Sequence, residues 1–164
     1  RITLPLFLVA LFSLPACSAN DETIAGLRFV AVGASGTILH ATDGKTWQST
    51  DSGITTDLTS ITHAPNIFVA VGLGGVILTS VNGVEFKQRY SPTGVDLFHV
   101  IHTGERFVAV GGDFEVGAVT IMSTDGLEWE NALSPGSFMF HAVAHKDDTL
   151  IAAAYARSDL PTPA

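Results

Sequence analysis

A pentapeptide that returns at a fixed interval constrains this chain more than any other feature. Phe29-Val30-Ala31-Val32-Gly33 comes back as Phe68-Val69-Ala70-Val71-Gly72 and as Phe107-Val108-Ala109-Val110-Gly111, each copy 39 residues after the last. A worn copy, Leu150-Ile151-Ala152-Ala153-Ala154, follows after 43. A second marker keeps step: Trp47, Phe86 and Trp129 each stand 21 residues before the next copy. Self-similarity at such a period marks one supersecondary unit stacked on itself.

The second copy predicts the strands of a unit. Residues 58–63 alternate apolar and polar, as a half-buried strand does. Ala64-Pro65-Asn66 predicts a turn, and the apolar β-branched run 67–71 a strand buried on both faces. Gly72-Leu73-Gly74-Gly75 reads as a Gly-rich hairpin and 76–80 as a third strand. Val81-Asn82-Gly83 turns the chain, and 84–89 reads as a fourth, edge-like strand with its charges outward. Four short strands per repeat of about 40 residues predict the blade of a β-propeller. The expected fold class is therefore all-β, a β-propeller of four-stranded antiparallel blades. Blades are expected at 27–50, 58–90 and 97–133, with a partial fourth at 138–154 and a tail at 155–164. From the marker glycine to the turn residue is 10 residues in two copies (Gly33 to Asp43, Gly72 to Asn82) but 14 in the third (Gly111 to Asp125). Four residues are thus inserted near Gly112-Asp113-Phe114-Glu115. With three units and part of a fourth, the chain is expected to be an arc of a longer frame of six to eight blades, which the start at Arg1 rather than Met also suggests.

The turns read Ala41-Thr42-Asp43-Gly44-Lys45-Thr46-Trp47, Ser80-Val81-Asn82-Gly83-Val84-Glu85-Phe86 and Ser123-Thr124-Asp125-Gly126-Leu127-Glu128-Trp129. Following Phe-Val-Ala-Val-Gly, this Ser-x-Asp-Gly-x-x-Trp pattern resembles the Asp-box, or BNR-like, repeat of bacterial propellers, in a variant one residue shorter between Asp and Gly. That superfamily includes sialidases, sortilin-type domains and photosystem II assembly factors. The resemblance spans 27–154 and speaks to fold more than to function.

The repeat sorts the polar residues. Asp43 and Asp125 occupy the phase of Asn82, which cannot serve as a general base, so turn capping is the reading that fits all three. Trp47, Phe86 and Trp129 are expected to anchor the outer strand on the hydrophobic side, with ligand stacking as the alternative. His63, His102 and His145 share one repeat position and so belong to successive units, where they would not converge on a metal that needs three or four ligands. His99, His141 and His40 are out of phase with them, and no metal site is expected. Arg28 and Arg106 are in phase at a hairpin end, leaving Arg89 and Arg157, too few for the arginine cluster of a sialidase. No P-loop, dinucleotide Gly motif or Gly-x-Ser-x-Gly is present, so no catalytic constellation and no cofactor are expected. The inserted loop, with Asp113, Phe114 and Glu115, departs from the repeat and is the candidate binding loop; a neutral insertion is the other reading. Asp147-Asp148 reads as a solvated hairpin turn.

The leader gives an address. Arg1 is followed by an apolar run the length of a signal-peptide core, too short to span a membrane comfortably. Leu14-Pro15-Ala16-Cys17 resembles a bacterial lipobox, which implies a signal peptide at 1–16, lipidation at Cys17 and a tether at 17–26. The alternative is a secretory peptide cut after Ala19. Both imply a place outside the cytoplasm, and Ser18 after Cys17 leans towards the outer membrane in a Gram-negative cell. Cys17 is the single cysteine, so neither a disulfide nor a thiolate metal site is expected. A net charge of −8 with eight scattered Lys and Arg argues against nucleic acid. The expected function is a lipid-anchored, extracytoplasmic binding or scaffold module for protein or glycan. The alternatives are a fragment of a sialidase-like hydrolase whose catalytic residues lie elsewhere, and an assembly factor.

Overall fold

A computed structural model describes residues 29–132 and 138–156. The leader, Cys17, the tether at 17–26 and residues 157–164 lie outside the described residues. The described residues are all-β, in four antiparallel sheets of two to four strands that do not close on one another. The first sheet holds β1 (Phe29–Val32), β2 (Ile38–Ala41) and β3 (Gln48–Thr50). The second holds β4 (Leu58–Ala64), β5 (Ile67–Gly72), β6 (Ile77–Ser80) and β7 (Lys87–Gln88). The third holds β8 (Leu97–His102), β9 (Phe107–Asp113), β10 (Gly117–Ser123) and β11 (Glu130–Ala132). The fourth pairs β12 (Phe138–Lys146) with β13 (Thr149–Ala156).

The alternation inside the marker explains the stacking. Successive strand residues face opposite ways. Phe68 and Ala70 turn back to a core shared with Val30, Val32 and Ile38 of the first sheet. Val69 and Val71 turn forward to join Leu97, Val100, Phe107 and Ala109 of the third. Val108 and Val110 repeat the forward move against Val143 of the fourth. One pentapeptide thus supplies two faces, each meeting a neighbouring sheet, which is why it is apolar throughout. In the fourth sheet Ile151 takes the forward-facing phase and is 61% exposed.

One element differs from the strand expectations. The fourth strand of the second unit is only Lys87–Gln88, because Val84 and Glu85 give their N–H groups to Asn82 Oδ1 in the turn, at 3.0 and 2.8 Å. The Gly-rich connection is the expected hairpin, β5 and β6 pairing antiparallel across it, with a 3₁₀ turn over Leu73–Gly75 at its tip. Gly75 has a φ of 74° there, and a Cβ on it would overlap the Thr93 carbonyl oxygen. Gly111 needs its missing side chain for another reason: a Cβ there would overlap the Asp96 carbonyl oxygen.

Candidate functional site

The two ends of the sheets differ in their chemistry. At one end lie the Asp-Gly turns. Asp43 Oδ1 accepts from the N–H groups of Lys45 and Thr46 at 2.8 and 2.7 Å. Asn82 Oδ1 takes the N–H groups two and three residues on, and Asp125 Oδ1 takes those of Leu127 and Glu128 at 2.8 and 3.1 Å. These N–H groups hold the Asp43 and Asp125 carboxyls below the usual carboxylate range. Ser80 and Ser123 Oγ add a second cap, each accepting at 2.8 Å from the turn glycine, Gly83 and Gly126. Trp129 is buried, donates Nε1–H to Gly126 O at 3.0 Å and lies against Phe107; Trp47 lies likewise against Phe29, and Phe86 packs on the core shared by the first two sheets.

The in-phase histidines also sit at this end. The His63 ring lies tilted against Phe68 and His102 likewise against Phe107, with ring centroids 4.3 and 4.6 Å apart. Burial pushes the pKa of both below the ordinary value, and for His63 the nearby His102 adds to it. His145 is exposed. Among the described residues no group of three or more His, Cys, Asp or Glu is placed to hold a metal ion. A shallow cleft of about 270 Å³ opens beside Arg106, Ser123, Glu128 and Trp129, built mostly from residues the repeat uses for its turn.

The opposite end carries the marker glycines and the departures from the repeat. In the first two sheets the turn here is 3₁₀, and an aspartate from the next sheet holds it. Asp57 Oδ1 accepts from Ser35 N–H at 2.7 Å, and Asp96 Oδ1 from Gly74 N–H at 2.8 Å. In the third sheet the four extra residues lengthen the β9–β10 ladder to the pair Asp113↔Gly117. Asp113 Oδ1 then caps its own turn, accepting from Glu115 N–H and Val116 N–H at 2.8 and 2.6 Å. The position in phase with Asp57 and Asp96 is Met139. Insertion and loss of the aspartate go together, because the lengthened hairpin leaves no 3₁₀ turn to cap. This end lies across the seven-pair β9–β10 ladder from Asp125 and Trp129, so the binding-loop residues and the repeat-turn residues are not brought together.

A β-bulge marks the first strand of the second, third and fourth sheets at one repeat position: the register shifts around Thr59, Phe98 and His141. Bulges re-aim the side chain they carry. The residue after each bulge ties neighbouring sheets together where it can accept. Ser60 Oγ takes Val100 N–H and His99 Nδ1 takes Val143 N–H, both at 3.2 Å. Burial lowers the His99 pKa, with the Val143 contact opposing it. At the bulge itself the chemistry changes along the molecule. Thr59 Oγ1 donates to Leu97 O at 2.6 Å. Phe98 instead stacks on His141, 4.5 Å between centroids and 8° from parallel. His141 meets Tyr155 edge-on at 6.3 Å, and Tyr155 meets Phe114 of the inserted loop at the same distance. Four rings therefore run in file from the bulge to the loop. Phe98, His141 and Tyr155 were not singled out by sequence; the signal available was that two aromatics stand where the second unit has a threonine.

No family model, no curated protein and no solved structure matches this chain. No helix among the described residues is long and apolar enough to cross a membrane.

Proposed function

We propose that this chain is an arc of a β-propeller and acts as a lipid-anchored, extracytoplasmic binding or scaffold module for a protein or glycan, engaging it through the loop of Asp113, Phe114 and Glu115. The propeller reading is supported by four consecutive antiparallel sheets, each sharing a core with the next through one alternating pentapeptide. The lipid anchor rests on Leu14-Pro15-Ala16-Cys17 alone. The observation that carries the binding reading is the division of labour between the two ends. At one end Asp43, Asn82 and Asp125 are occupied by turn N–H groups. At the other, the inserted hairpin is joined to aromatic residues that the repeat does not supply. Passing an envelope extract over the immobilised full chain tests it. The wild type retains a component that a D113A/F114A/E115A variant releases and an Asp43→Asn variant keeps; equal retention by all three contradicts the reading. Palmitate labelling that persists in Cys17→Ser would remove the anchor.

A further inference from the structure

We propose that Asn82-Gly83 is a latent deamidation site which its turn holds closed, with Ser80 as the residue that keeps it shut.

The reaction needs only the chain and water. The Gly83 backbone nitrogen attacks the Asn82 side-chain carbonyl carbon, Cγ. The N–Cγ bond forms and the Cγ–Nδ2 bond breaks. The leaving nitrogen departs as ammonia, with the proton that Gly83 gives up. Water then opens the cyclic imide. Opening at Cγ leaves aspartate; opening at the main-chain carbonyl leaves isoaspartate, with one more carbon in the backbone. A glycine after the asparagine favours the attack, because no side chain shields its nitrogen. Asn82-Gly83 is the only Asn-Gly pair in the sequence.

The turn holds both reacting groups. Gly83 is buried, and its N–H donates to Ser80 Oγ at 2.8 Å. Ser80 is itself buried. Its hydroxyl is no base at neutral pH, and it donates its own proton to Asn82 Oδ1 at 3.0 Å. Oδ1 also accepts from the Val84 and Glu85 N–H groups at 3.0 and 2.8 Å. Donors on Oδ1 draw charge from Cγ, which by itself would favour attack. They also fix the amide in place, and ring closure must swing Cγ towards the Gly83 nitrogen and carry Oδ1 off them. The attacking nitrogen is therefore bound through its proton, and the carbon it must reach is pinned.

The other turns show what each change does. Asp43 and Asp125 stand in the phase of Asn82 and accept the same two N–H groups. An aspartate formed at 82 thus fits the turn, whereas the longer backbone of isoaspartate displaces those donors. In the first sheet Ala41 stands in the phase of Ser80, and its turn forms all the same. Ser80→Ala accordingly releases the Gly83 N–H without removing the turn.

Incubating the full chain at mildly alkaline pH, folded and in urea, tests the proposal, with aspartate and isoaspartate at 82 followed by peptide mapping. The folded chain is expected to convert Asn82 at least about tenfold more slowly than the unfolded one, roughly the worth of one hydrogen bond broken before ring closure. Ser80→Ala should raise the folded rate about tenfold and leave the rate in urea unchanged. Ser123→Ala removes the same serine cap from the third turn, where an aspartate stands, and should leave Asn82 as slow as in the wild type. Equal rates in the folded and unfolded chain overturn the closure. A folded rate that Ser80→Ala does not raise overturns the part given to Ser80. A rise that Ser123→Ala matches overturns it too, since a general loss of stability then accounts for both.

Discussion

At the glycine end of the second sheet, Gly72 leads into a 3₁₀ turn whose Gly74 N–H is held by Asp96, and the bulge beside it carries Thr59 bonded to Leu97 O. At the same end of the third sheet the hairpin is four residues longer, its aspartate caps its own turn, the next sheet offers Met139, and the bulge carries Phe98 stacked on His141. Both versions form the same four-stranded ladder. Fold and departure are therefore separable: what the two sheets share holds the strands together, and what they do not share gathers aromatic rings and carboxylates at one end.

That separation can be broken by experiment, most forcefully at the shared phenylalanine. Phe107 is fully buried between the second and third sheets against His102 and Trp129, so Phe107→Ala should cost about 3–5 kcal/mol in urea unfolding. Phe114→Ala, on the departing hairpin, should cost under about 0.5 kcal/mol. Similar losses from both would erase the distinction. Next in size is Gly111→Ala, where the new methyl meets the Asp96 carbonyl; a loss of about 1–3 kcal/mol is expected, measured the same way. Asp96→Ala frees the Gly74 N–H and should cost about 1 kcal/mol, whereas Met139→Ala removes no cap, and a larger loss there would show that the third sheet leans on that position after all.

Two smaller effects depend on pH. Burial lowers the pKa of His63 and His102 in the folded chain, so the unfolded chain binds more protons. The stability is full above the ordinary imidazole value of about 6.5 and falls as pH drops below it. His63→Gln should flatten that slope in urea midpoints from pH 7.5 to 5.5, while His145→Gln, at the exposed position of the fourth sheet, should leave it unchanged. Asp125 has the usual carboxylate sign: its turn N–H groups lower its pKa, so its contribution is present above about pH 3.9 and lost as pH falls through the lowered value. Asp125→Asn should keep the cap, as Asn82 does in the second sheet, and remove that acid limb; a destabilised variant at pH 7 would show that charge, not geometry, holds the turn.

The sheets were legible because Phe-Val-Ala-Val-Gly has a period of two within the strand and 39 along the chain. Alternation told which residues face a neighbour, and repetition told that the neighbour is another copy. The strand at 84–89 was overcalled because its charges suit an edge strand, while the Asn82 amide takes up the backbone of Val84 and Glu85. The inserted loop was legible as a change of spacing. Its ring partners were not, since contact between Phe114 and Tyr155 depends on how far β9 and β13 run past the marker glycine phase, and neither end carries a local signal. Asp57 and Asp96 were overlooked for a related reason: each acts on the turn of the preceding sheet, 22 residues earlier.

The most direct test of the division between shared and departing parts is a graft. Replacing residues 112–118 by Leu-Gly-Gly and Met139 by Asp gives the third sheet the turn and the cap of the second. Urea unfolding and capture from an envelope extract are then measured on the same preparation. The account predicts one cooperative transition, with a midpoint at or above that of the wild type, together with complete loss of the loop-dependent component. A graft that still binds, or one that fails to fold, would contradict it.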